Sequence, residues 1–210
     1  MIKRQRFERI PLDIPWRRIY YRLGFADGKT ALAAEQQRQI DECICRASAL
    51  VQVQAVYARA AFELQTDEQV GLEDGTVFRS RSVADLLRGA VEILIMAATA
   101  GAEIMARIRQ LQAEGRMQEA VIYDATASEL SDAALDWLMD YVRRAVVREN
   151  KSVTARRFSA GYGDFPLENQ GLIFKLLALT ELGVRLNAQH IMEPEKSVSA
   201  VAGIVQRQEL

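Results

Sequence analysis

RRFSAGYGDFPLENQ, residues 156–170, and MEPEKSVSA, residues 192–200, carry the strand, turn and helix alternation from which the rest of the chain is read. In the first stretch Arg157 leads into Gly161-Tyr162-Gly163, where two glycines permit positive φ and close approach of a backbone to a ligand. Pro166 stops any strand ladder, and a helix is expected over 168–177. An arginine beside such a turn can grip a carboxylate with its planar fork while backbone amides meet the rest of a small molecule. By local chemistry alone the same residues read first as a plain surface turn between a strand and a helix, since glycine is the ordinary turn residue.

Working outward, 153–158 reads as a strand entering this turn, and 197–205 and the region near 184–186 as strands after it. Apolar character on both faces predicts a central strand over 91–99, ended by Gly101. A helix follows over 102–114, closed by Gly115, and a longer helical stretch runs from 117 to 148 with a break near 126–131. Upstream, 7–14 reads as an edge strand limited by Pro11 and Pro15, and 16–23 as a short amphipathic helix ended by Gly24. Thr30 is the expected cap of a long helix whose apolar positions are Leu32, Ile40, Ile44 and Ala47. Two-residue alternation predicts a strand over 51–62, Glu73-Asp74-Gly75-Thr76 a hairpin turn, and Ser82 with Asp85 the cap of a short helix over 83–88. The sum is an α+β domain: a twisted, mainly antiparallel sheet covered by helices, one domain over residues 1–210.

Lys plus Arg number 27 against Asp plus Glu 28, a net charge of -1 that argues against electrostatic capture of nucleic acid or of an anionic membrane. No apolar run approaches a membrane span, and no secretory leader is legible at the N-terminus, so a cytoplasmic protein is expected. Cys43 and Cys45, two apart in a helical stretch, point to different faces and are expected to stay reduced.

Residue inventory removes several chemistries. His190 is the only histidine, and no serine lies in a nucleophile elbow. Neither a Gly-x-Gly-x-x-Gly fingerprint nor a P-loop is present, and two cysteines cannot hold an iron-sulfur cluster by thiolates alone. The Asp-x-His-x-x-Gly pattern of corrinoid carriers is missing too. No residue is assigned as catalytic or as a metal ligand.

Arg157-Phe158-Ser159-Ala160-Gly161-Tyr162 and Pro194-Glu195-Lys196-Ser197-Val198-Ser199 together resemble the C-terminal signature of the activation domain of cobalamin-dependent methionine synthase. That family has an Arg-x-x-x-Gly-Tyr turn before a short helix and then a strand ending in Pro-x-x-Ser-Val-Ser. The similarity extends upstream over residues 97–142, and it is greatest to the small stand-alone relatives. The resemblance implies the fold named above and a site for S-adenosylmethionine, with Arg157, Ala160, Gly161, Tyr162 and Asp136 as the binding residues. Arg157 would hold the ligand carboxylate, Asp136 its ammonium, and backbone groups at Ala160 and Gly161 the adenosine or methionine part. Tyr162 would face the corrin of a docked partner; a half-buried aromatic closing the turn is the plain alternative for that ring.

Asp136 belongs to a stripe, Asp132, Asp136 and Asp140, spaced by four so that the carboxylates share one helix face, while Leu130, Ala134, Trp137 and Tyr141 face the sheet. Such a stripe is ordinarily a solvated surface. The implied function is a stand-alone reactivation protein that binds S-adenosylmethionine and supports reductive methylation of cob(II)alamin on a partner methionine synthase or another corrinoid methyltransferase. Cobalamin then enters only through the partner, and catalysis is positional. Asn187-Ala188-Gln189, where the family often has Thr-Glu-Ser, leaves a second reading: a docking protein that has lost the ligand.

Overall fold

The computed structural model describes residues 2–25 and 32–207; the expected cap at Thr30 lies outside them. In chain order the elements are β1 (Arg4–Phe7), α1 (Trp16–Arg22), α2 (Ala34–Leu50), β2 (Gln54–Gln65), β3 (Gln69–Leu72), β4 (Val77–Arg79), α3 (Arg81–Leu86) and β5 (Ala90–Thr99). Then follow α4 (Ala102–Ala113), α5 (Met117–Val146), β6 (Lys151–Val153), α6 (Asn169–Leu177), β7 (Arg185–Leu186), β8 (Met192–Glu193) and β9 (Ser197–Gln206). The main sheet runs β4-β3-β2-β5-β9-β6, every pairing antiparallel. The long β2 carries β1 beside its first half and β3 beside its second, on the edge away from β5. A separate hairpin joins β7 to β8.

β5 is central because its alternation feeds two cores. Ile93, Ile95 and Ala97 face α3 and α6, packing with Val83, Leu87, Ile173 and Leu177. Leu94, Met96 and Ala98 face α5, packing with Ala134, Leu135, Leu138 and Val142. An antiparallel sheet can leave one face wet, but here helices cover both, so β5 and its neighbour β9 are buried and apolar through their middles, over 93–98 and 200–204. No described helix is long and apolar enough to cross a membrane. Cys43 is buried and Cys45 exposed on α2, both as free thiols.

Apart from shifts of a few residues at β2, α3 and the start of α2, which leaves Leu32 ahead of that helix, four expectations differ. The strand expected over 7–14 is β1, ending at Phe7, because Phe7 turns into a ring cluster with Trp137 and Tyr141 and the prolines keep 8–15 irregular. α3 is capped by Ser80, whose hydroxyl accepts from Val83 N at 3.0 Å, and not by Ser82. α5 is unbroken: Thr126, Ser128 and Ser131 turn their hydroxyls onto the carbonyls of Ile122, Asp124 and Ala127, so the polar run bonds within the helix. The strand expected over 153–158 is β6 with a separate bridge from Phe158 to Val201; residues between them leave the sheet and carry Arg157 to its partners.

Candidate functional site

Residues 159–165 form a tight turn at the edge where β9 begins. Gly161 has φ +91° and Gly163 φ +53°, values that favour glycine. Gly161 N donates to Phe165 O at 2.8 Å and Phe165 N to Tyr162 O at 3.0 Å, so the turn closes on itself. Its inward anchor is Phe165, fully buried edge-on against Phe78 with ring centres 5.6 Å apart. Its outward residue is Tyr162, 68 % exposed.

A second anchor ties the turn to α3. The Asp164 carboxylate accepts from Ser80 Oγ at 2.8 Å, Arg81 N at 2.6 Å and Ser82 N at 3.2 Å. These bonds, from the Ser82 and Ser80 groups first, hold its pKa at about 2, below the ordinary 3.8. A depressed carboxyl pKa contributes stability above the unfolded value that is lost as pH falls through the folded one. Thermal unfolding at pH 5 should therefore separate the parent from Asp164→Asn, with the gap closing toward pH 2. A gap independent of pH would assign the loss to shape and not to charge.

Arg157 and Asp136 do come together, but as partners of each other. Arg157 Nη1 donates to Asp136 and Nη2 to Asp132 Oδ1 at 2.8 Å. Arg18 of α1 takes the other sides: Nη1 donates to Asp136 Oδ2 at 2.7 Å, Nη2 to Asp132, and Nε to Glu129 Oε2 at 2.8 Å. Arg22 Nε completes the group on Glu129 Oε1 at 2.5 Å. Three guanidinium groups thus balance three carboxylates. Burial works against the charge on Arg157, but its bonds and Coulomb attraction to Asp132 and Asp136 outweigh it and raise its pKa. The stripe therefore divides: Asp140 pairs with Arg143 on its own helix in solvent, whereas Asp132 and Asp136 are structural counter-charges.

Beside this cluster lies a cleft of about 270 Å³. Asp132 and Leu135 form its α5 side, and Ser159, Ala160 and Tyr162 come from the turn. Its far side is made by Gln170 of α6 and by residues 190–192 at the β7–β8 hairpin, with Ser197 and Ser199 of β9 between the two sides. The floor is polar and satisfied: Ser199 Oγ donates to the buried Gln170 Oε1 at 2.9 Å, and Gln170 Nε2 to Met192 Sδ at 3.1 Å. Both quoted sequence stretches thus line one cleft. Arg18, Glu129, Gln170 and His190 carried no local signal as site residues; the periodicity of α1 says nothing about which carboxylates Arg18 meets.

A two-sided antiparallel sheet, a long helix on one face and a glycine-turn cleft at the start of the strand after the hairpin define the class, the α+β reactivation-domain fold. The crystal structure of the MetH reactivation domain bound to AdoHcy matches the chain with a TM-score of 0.72 at 16 % identity, covering 100 % of this chain and 80 % of that one. The likeness is one of fold. No protein-family model and no curated protein matches the sequence.

Proposed function

We propose that the chain binds S-adenosylmethionine in this cleft and presents it to a cobalamin-dependent partner, a methionine synthase or another corrinoid methyltransferase, for reductive methylation. The observation that supports this most is the coincidence of the two motif stretches on a single cleft, in a fold shared with a protein solved with AdoHcy bound. The residues suit such a ligand: Asp132 lines the cleft, Arg157 and Asp136 stand behind it in the adjoining ion-pair cluster and do not line it, and Tyr162 puts an exposed aromatic ring at the rim. S-adenosylmethionine brings a methyl group already activated on a sulfonium, so no acid or base is required of the protein.

What this chain contributes is binding and aim. Arg157 exchanges one aspartate for the ligand carboxylate, and Arg18 remains to neutralise Asp132 and Asp136 during the exchange. Asp136 is then released toward the ligand ammonium. The buried Ala160 and the side-chain-free Gly161 offer backbone at close range. Tyr162, with Leu167 and Ile191, leaves an apolar rim open to a docking partner.

Calorimetry with S-adenosylmethionine tests the binding step. A mixture with a methionine synthase lacking its activation domain, cob(II)alamin and a reductant tests the rest. Heat of binding and methylation only in the mixture are the expected results; methyl transfer by the chain alone would overturn the shared-site reading. Because Arg157 and Asp136 are mutually satisfied, a ligand-free docking role is the second reading. Absent binding with retained partner association would establish that role instead.

A further inference from the structure

His190 carries two unfavourable features at once. Its φ is +59°, a left-handed value that is uncommon outside glycine, and its Nδ1 is buried with no hydrogen-bond partner. The backbone around it is firmly held. Asn187 Oδ1 accepts from both Gln189 N and Ile191 N at 3.0 Å, Asn187 N donates to Ile191 O at 3.0 Å, and His190 N to Asn187 O at 3.0 Å. That tight turn fixes the imidazole over Gly171 of α6, with Nδ1 3.6 Å from where a Cβ of Gly171 would stand. Among the described residues Nε2 has no hydrogen-bond partner either, and the residue lines the cleft. Over-determined strain beside an unpartnered polar group, at a cleft wall, points to a ligand contact.

The fold says which end of a ligand that contact serves. Asp132 belongs to α5, which packs on one face of the sheet, whereas α6 and Met192 pack on the other. The cleft has lining residues from both sides, so Asp132, with Arg157 bonded behind it, belongs to the α5 side and His190 to the α6 side. Resting on the proposed S-adenosylmethionine site, we propose that His190 recognises the nucleoside end of the ligand, its Nε2 hydrogen-bonding to that moiety while the amino-acid end is held at Arg157. Ile191 and Met192 supply the apolar wall that a purine and ribose need beside such a contact.

Because His190 is the only histidine, its ring resonances report on this position without assignment. In the full chain, 5′-methylthioadenosine and S-adenosylhomocysteine should shift the imidazole signals, and methionine alone should leave them in place. His190→Asn keeps a residue that tolerates the left-handed turn but shortens the reach. It should bind S-adenosylhomocysteine about three- to tenfold more weakly, the loss of one ordinary hydrogen bond. Ring signals unmoved by S-adenosylhomocysteine that calorimetry shows to be bound, or unchanged affinity in His190→Asn, would overturn the assignment. No heat of binding from the parent chain would instead overturn the ligand site itself, and this contact with it.

Discussion

Phe165→Ala should lower the free energy of unfolding by about 3–5 kcal/mol, the range for removing a buried phenylalanine ring. Phe165 is fully buried and packs against Phe78 at 5.6 Å and Phe158 at 6.3 Å between ring centres. Its backbone also closes the turn, accepting from Gly161 and donating to Tyr162, so the ring positions the very peptide groups that border the cleft. Chemical denaturation checks the stability, and calorimetry on the folded fraction checks the turn. Phe165→Leu should recover much of the loss by filling most of the volume. A cost below about 1 kcal/mol for the alanine variant would mean that the turn is not anchored through this ring.

Arg157→Ala should weaken S-adenosylmethionine binding by about 1.5–3 kcal/mol, the value of hydrogen bonds to a charged group. Calorimetry would read this as a roughly ten- to hundredfold rise in Kd. Lysine should rescue only in part, because a point charge cannot reproduce the planar fork. Stability should change less than affinity: the side chains of Asp132 and Asp136 are 37 % and 48 % exposed, so solvent screens the pairs they lose, and Arg18 still meets both. Unchanged affinity in a folded Arg157→Ala protein would leave the cluster a structural clasp and favour the docking role.

Periodicity and turn chemistry were enough to place β5, α4, α6, β9 and the β3–β4 hairpin, because each follows from near-neighbour rules: alternation, a left-handed glycine at Gly101 or Gly115, an Asp-Gly turn. Errors fell where a local signal has two outcomes. The Thr and Ser residues of α5 can interrupt a helix or bond back into it, and burial of Thr126 and Ser131 against neighbouring elements selected the second. Ser80 and Ser82 are both plausible caps, and Asp164, 82 residues from Ser82 along the chain, made Ser80 the one that serves α3.

The amino-acid order by itself determined that Gly161 and Gly163 would turn the chain and that Asp132 and Asp136 would share a helix face. Those are consequences of helical geometry and of missing side chains. Only the tertiary structure decided what the charges do. Arg18 lies more than a hundred residues from Asp132 and Asp136, and no periodicity relates them; packing α1 on α5 put a second cation within bonding distance of both and turned a solvated stripe into a balanced cluster. His190 became a cleft residue for the same reason, since α6 brings Gly171 beside its ring and α5 brings Asp132 and Leu135 to the cleft that it lines, and placements that distant are set by packing and not by sequence spacing.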